Sequence, residues 1–186
     1  IYAIFLLPPN YLKKINIMTV NISYKPERAF LPADLIISDW QSIHHYYENL
    51  LSRELNTKQD LDQWLKDSSE LSAIISEDAA WRYIAMTCDT TSQEKTEQYK
   101  FFVTEIMPKI APYENKLDHK LLDNPHFQAL KGKEYDIMRQ RIKKDVEIFR
   151  EKNVTLLSEL QAEQQEFGAI SGSMSVTING EDMTLQ

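Results

Sequence analysis

The chain is predicted to be mainly α, a bundle or lobe of long antiparallel helices that ends in a β-hairpin. Three observations carry this. Only four glycines occur in 186 residues, so the backbone has few points of easy bending. Apolar residues recur at steps of three and four from Trp40 to Phe167, the spacing of one helical face. From Met174 the period changes to two, and Asn179-Gly180 follows, the strongest short signal for a tight hairpin.

Taken in order, Ser38 and Gln41 have the spacing of a capping box ahead of Trp40, Ile43, Tyr47, Leu50 and Leu51, which share a face. Thr57 and Asp60 repeat the start signal before Leu61, Trp64 and Leu65. Leu71, Ile74, Ile75, Trp81, Ile84 and Cys88 continue the amphipathic pattern to a loop at Asp89-Thr90-Thr91. Thr91 and Glu94 are expected to open the next helix, whose face is Tyr99, Phe102, Val103, Ile106 and Ile110. Pro108 removes a backbone donor and should kink or end it, and Pro112 suits the start of another. After a break at Asn124-Pro125, the residues Tyr135, Met138, Ile142, Val146, Phe149, Leu156, Leu160 and Phe167 predict one helix from Glu134 to a stop at Gly168. Such a rod would be roughly 50 Å long. In the hairpin, a two-residue turn pairs Val176 with Met183 and Met174 with Leu185, which puts four apolar side chains on one face. A two-stranded hairpin is marginal alone in water, so that face is expected to cover a helix or to join strands outside the 186 residues.

A hydrophobic content of 42% with 10% aromatics suffices for a core. Twenty-one Lys and Arg against 28 Asp and Glu leave a net charge of -7, which repels phosphate backbones and anionic lipid surfaces. No nucleic acid and no membrane is expected as a partner. Cys88 is the single cysteine and has no partner for an internal disulfide, so the expected location is cytoplasmic. Residues 1–17 carry an apolar run that stops at Pro8-Pro9 before any basic residue, the reverse of a secretory signal and far short of a membrane span. Met18 is the expected natural start and residues 1–17 an extension. The helical lobe is then expected over 18–168 and the hairpin over 173–186, leading into a catalytic domain that the 186 residues lack.

Candidate chemistry is sparse. None of His44, His45, His119 or His126 is followed by Glu, so the two-histidine helical motif of zinc peptidases is missing. Adjacent His44 and His45 point about 100° apart on a helix and cannot share a metal; one at least should be solvated. His119 and Asp123 are spaced to share a metal, but two ligands make a weak site, and a surface pair is the expectation. Cys88 is expected to be buried beside Ile84 rather than nucleophilic. Glu70, Glu77 and Asp78 could supply paired carboxylates, with solvated faces the simpler reading. Lys131, Lys133, Arg139, Arg141, Lys143 and Lys144 make a basic stretch that could steer peptide carboxylates; the simpler reading is a charged outer face with pairs such as Lys143 and Glu147. Trp40, Trp64 and Trp81 are expected in the core. Phosphate-binding glycine loops and G-x-S-x-G are absent. No catalytic, cofactor-binding or metal residue is therefore assigned.

Two distant segments, SSELSAIISEDAAWRYIAMTCDTT (residues 68–91) and NVTLLSELQAEQQEFGAISGSMSVTINGEDMTL (residues 153–185), resemble oligoendopeptidase F, of the thimet-oligopeptidase-like zinc metallopeptidases. The likeness covers about Asp34 to Leu185. It implies the N-terminal helical region of a peptidase whose H-E-x-x-H motif and further Glu ligand lie downstream, so no ligand can be carried over. It further implies a wall of a channel that admits short peptides, with zinc in the full-length parent, no cofactor in this chain, and oligopeptides as substrates. The alternative is a free-standing helical interaction module pairing through the long helix.

Overall fold

The computed structural model describes residues 28–184. The expected extension over residues 1–17, the start at Met18 and the partner assigned to Met174, Leu185, lie outside them. The architecture is mainly helical with a terminal two-stranded antiparallel hairpin, as the residue pattern predicts.

Helix α1 (Gln41–Ser52) buries Ile43, Tyr47 and Leu50 on one face. Its start differs from the expected Ser38–Gln41 box. The Asp39 carboxylate accepts from the Ser42 amide at 2.9 Å and the Ser42 hydroxyl donates to the Asp39 carbonyl, because Asp39 is the acceptor in register with the first free amides. The Thr57–Asp60 capping box does form and opens α2 (Lys58–Cys88). At 31 residues, about 46 Å, α2 is the longest rod among the described residues, and it runs from that start signal to the Asp89 loop as the apolar spacing predicts.

Ser92, one residue later than expected, caps α3 (Gln93–Phe101). The chain then neither ends nor breaks at Pro108. A π-helical turn (Phe102–Ile106), in which the Met107 amide reaches back to the Phe102 carbonyl, leads directly into α4 (Met107–Leu122). The wider turn takes up the missing amide and the ring clash that proline imposes on the preceding turn. Pro112 accordingly sits inside α4 rather than at a new start. Phe102, Val103 and Ile106 are all buried.

Asn124 caps the short α5 (Pro125–Ala129), confirming the break there. The single rod expected from Glu134 to Phe167 is two helices, α6 (Lys133–Ile148) and α7 (Glu151–Ser173). Phe149 and Arg150 are extended, and the Arg150 guanidinium donates to the carbonyls of Glu147 and Phe149. The bend lets α6 pack on α4 while α7 packs on α4 and the π turn. Helix α7 also runs through Gly168, which lacks the left-handed conformation a terminating glycine adopts. Strands β1 (Ser175–Ile178) and β2 (Glu181–Thr184) pair Val176 with Met183 as expected. Asn179 and Gly180, at φ 55° and 86°, form the type I′ turn between them.

The core gathers α1, α2, the π turn, α4, α5 and α6 around Trp64, Tyr47, Phe102 and Phe127. At its edge the C-terminal carbonyls of α1 are buried and need donors. Lys120 from α4 donates to the carbonyls of Leu50, Leu51 and Arg53, and the Trp64 indole donates to Leu50 at 2.9 Å. Next to them Arg53 meets Asp67, which is 5% exposed and also held by Gln63 at 2.8 Å. The carbonyls of Leu55 and Asn56 accept from Asn124 and His126.

Replacing Asp67 by Ala would leave the Arg53 cation facing a desolvated gap. We expect Asp67→Ala to lower the unfolding free energy by about 2–3 kcal/mol, read as a lower urea midpoint at unchanged slope. A loss below about 0.5 kcal/mol, the range of ordinary surface changes, would show that the pair does not hold the helices together.

Candidate functional site

A groove of about 870 Å³ lies along α2, lined by Gln63, Lys66, Glu70, Ile74 and Glu77 and by Arg28 and Ala29. Its rim is built by one carboxylate. Glu70 accepts from the amides of Ala29 at 3.0 Å, Phe30 at 3.2 Å and Leu31 at 2.8 Å, so three successive donors converge on one anion. That clamp lays residues 29–31 along α2, buries Leu31, and sets Phe30 edge-on against Tyr46 beneath the Arg53 guanidinium. The groove is mostly apolar, with Leu65, Ala73 and Ile74 in its lining together with Lys66 and Glu77.

Of the three candidate acids, Glu70 and Glu77 both line the groove and Asp78 does not. Glu70 is a backbone cap. Asp78 pairs with Arg82 at 2.6 Å, and Arg82 in turn donates to the Ile37 and Gln98 carbonyls and lies over Phe102. The expectation of solvated faces is corrected for Glu70 and Asp78, whose structural partners sequence spacing does not display, and Glu77 is half-buried.

A second cluster joins α1 to α4. Trp40, His44, Tyr47 and Tyr113 pack ring against ring at 5.0 to 5.8 Å. The Tyr113 hydroxyl donates to Glu48 at 2.9 Å, so it accepts from His44 Nε2 at 2.8 Å. That hydrogen bond to a carboxylate holds the Tyr113 proton above its usual range. The Tyr47 hydroxyl is buried without a hydrogen bond of ordinary length. Burial, and then the charge of Glu114, raise it well above the normal tyrosine value. One turn further along α4, Asp118 is pushed up to about 6 by burial and by Asp145 of α6, against the opposing influence of His119 and Arg141.

The remaining candidates are dispersed. His45 is exposed, as expected for one of the adjacent pair, and stacks on Tyr46. His119 is exposed on α4, and its link to Asp123 is the backbone bond from the Asp123 amide to the His119 carbonyl. His126 is committed to Asn56. Among the described residues no three His, Cys, Asp or Glu come together as metal ligands. Cys88 is exposed rather than buried, and Trp81 is 62% exposed rather than in the core, whereas Trp64 is buried and Trp40 lies half-buried against Tyr47. The last turns of α2 turn Met86 inward instead. On α6 the ion pairs are Arg139 with Asp136 and Arg141 with Asp145, in place of Lys143 with Glu147. Sequence reasoning missed Arg53, Asp67 and Lys120, whose partners lie 14 to 70 residues away.

The raised Asp118 pKa fixes a sign. The folded state binds this proton more tightly than the unfolded chain, so the contribution to stability is present below about pH 4 and is lost as pH rises through about 6. Asp118→Asn should therefore be more stable than the parent chain at pH 7.5. The advantage in urea midpoint should shrink as pH falls through 6 and be gone below 4. A pH-independent difference would rule out the charge origin.

No curated protein matches the chain, and no solved structure does. A family model described as Peptidase M3 N-terminal domain matches residues 30–149. The match begins at the segment clamped by Glu70 and ends at the bend between α6 and α7. It spans well over half of the 186 residues, and the chain belongs to the Peptidase M3 N-terminal domain family.

Proposed function

We propose that the chain is the N-terminal helical lobe of a zinc-dependent oligoendopeptidase of the F type, and that the α2 groove forms part of the wall of its peptide channel. The family match over residues 30–149 carries this reading. The groove adds a surface of suitable kind, running along a helix and largely apolar, with Lys66 among its lining.

The described residues do not fit a catalytic zinc. His44, His119 and His126 are on separate elements, and His44 and His126 are engaged by Tyr113 and by the Asn56 carbonyl. The lobe's own part is thus exclusion and positioning: α2 is held rigid by its capping box and by the clamp at Glu70, so the groove keeps its shape when empty. Bond cleavage, and the metal, belong to the remainder of the parent. Among the described residues no helix is long and apolar enough to cross a membrane. The net charge of -7 and the single cysteine are in keeping with a cytoplasmic setting, and the family match with oligopeptides as the substrates.

The test is kinetic and uses the full-length parent. Ala73→Trp adds bulk to the groove without touching the core, since Ala73 is exposed at its lining. KM for peptides of about ten residues should rise roughly three- to tenfold with kcat little changed, the pattern of lost uniform binding. A tripeptide-sized substrate should be unaffected. Chelator-sensitive hydrolysis by the 186-residue chain alone, or indifference of all substrates to Ala73→Trp, would refute the assignment.

A further inference from the structure

Helix α7 is turned the wrong way round for a surface helix. The side it lays on α4 and the π turn carries Val154, Ser158, Ala162 and Gln165, small or polar residues that are only partly covered. Its bulky side chains point out: Leu156 is 62% exposed, Leu157 60%, Leu160 47%, Phe167 73% and Ile170 59%, and Met174, just past its last turn, is 52% exposed. From Leu156 through Leu160, Glu163 and Phe167 to Ile170 the positions advance by alternating steps of four and three, the 3.5-residue period of a helix seam, with Leu157 alongside. An exposed apolar strip of this length, interrupted by Glu163, marks an interaction surface. It follows the bend at Phe149–Arg150 and so lies outside the part of the chain that matches the family model.

Charge selects the occupant. Glu163 sits in the seam and Glu159 and Glu166 flank it, while the only cation on α7 is Lys152 at its first turn. None of the three glutamates has an ion-pair partner among the described residues. A second copy would bring like charges together along the contact, which disfavours self-pairing. We infer that the α7 seam seats an amphipathic helix of the peptidase region of the same parent, with apolar residues at the same period and Lys or Arg opposite Glu159, Glu163 and Glu166, an assignment that rests on reading the chain as the N-terminal lobe of a longer peptidase. The hairpin prolongs the surface, since Val176, Ile178 and Met183 are also exposed.

Hydroxyl-radical footprinting of the full-length parent beside the 186-residue chain tests the contact. Oxidation of Leu160 and Phe167 should be about tenfold slower in the parent, the difference between a dry seam and open solvent. The triple variant Glu159→Lys, Glu163→Lys, Glu166→Lys should leave the Tm of the 186-residue chain within about 2 °C, as expected for exposed side chains. In the parent it should lower Tm by about 5 °C or more and restore oxidation. Equal oxidation in both proteins would overturn the seam, as would a defined dimer of the 186-residue chain that Phe167→Glu disperses. Peptide hydrolysis by the parent is scored separately: a chelator-sensitive parent with Leu160 and Phe167 open loses the seam and keeps the peptidase, whereas a protected seam in an inert parent does the reverse.

Discussion

The end of α1 is the constraint around which the lobe is assembled. A helix that stops inside a protein leaves carbonyls with no partner of their own, and here they point into the space between α2 and α4. Lys120 satisfies three of them from α4, and Trp64 shares one from α2. Placing a lysine there is costly. Burial, with the Arg53 cation nearby, lowers the Lys120 pKa from its ordinary value. The offset comes from the carbonyl dipoles, which favour a cation at a helix C-terminus. The residues that follow α1 continue the theme, with the carbonyls of Leu55 and Asn56 taken by Asn124 and His126. The link from α1 to α2 is thereby fastened along its length to the corner between α4 and α5, and the groove-bearing helix inherits its position from that fastening.

Two further side chains repeat the strategy of one charged group serving several backbone partners. Glu70 collects the three amides that precede α1. Arg82 collects the carbonyls of Ile37 and Gln98 while paired with Asp78 and resting on Phe102. Both lie on α2, at opposite ends of the stretch Glu70–Arg82, and both bind the extended segment that enters α1. The segment is irregular yet well anchored, because its backbone groups are paired by side chains rather than by a ladder.

What could be read from the residues was local. Thr57 with Asp60, Asn124 before Pro125, and Asn179-Gly180 each specify their own geometry within four residues, and each forms. The mainly helical class followed from periodicity for the same reason. What could not be read depended on partners far along the chain. No Pro or Gly marks the bend at Phe149–Arg150; it is set by α6 and α7 seeking different neighbours on α4. Trp81 and Cys88 lie on a stripe continuous with Ile74, yet it is Met86 that is covered, which the stripe alone does not decide. The acids of the groove looked like a row of equivalent surface charges until their partners, about 40 residues upstream for Glu70, were in place. The family match then names a lineage that the groove's shape alone would not.

The π turn at Phe102–Ile106 has a bearing on how such a lobe can change over evolutionary time. An insertion in a packed helix normally rotates everything beyond it by about 100° and is eliminated because the core no longer fits. Here the surplus residue is already accommodated, with Pro108 just downstream keeping the turn from winding back to a regular pitch. Helices α3 and α4 therefore meet their neighbours with separately adjustable phases. Length variation among relatives should collect at this turn, although it is one of the most deeply buried stretches of the chain.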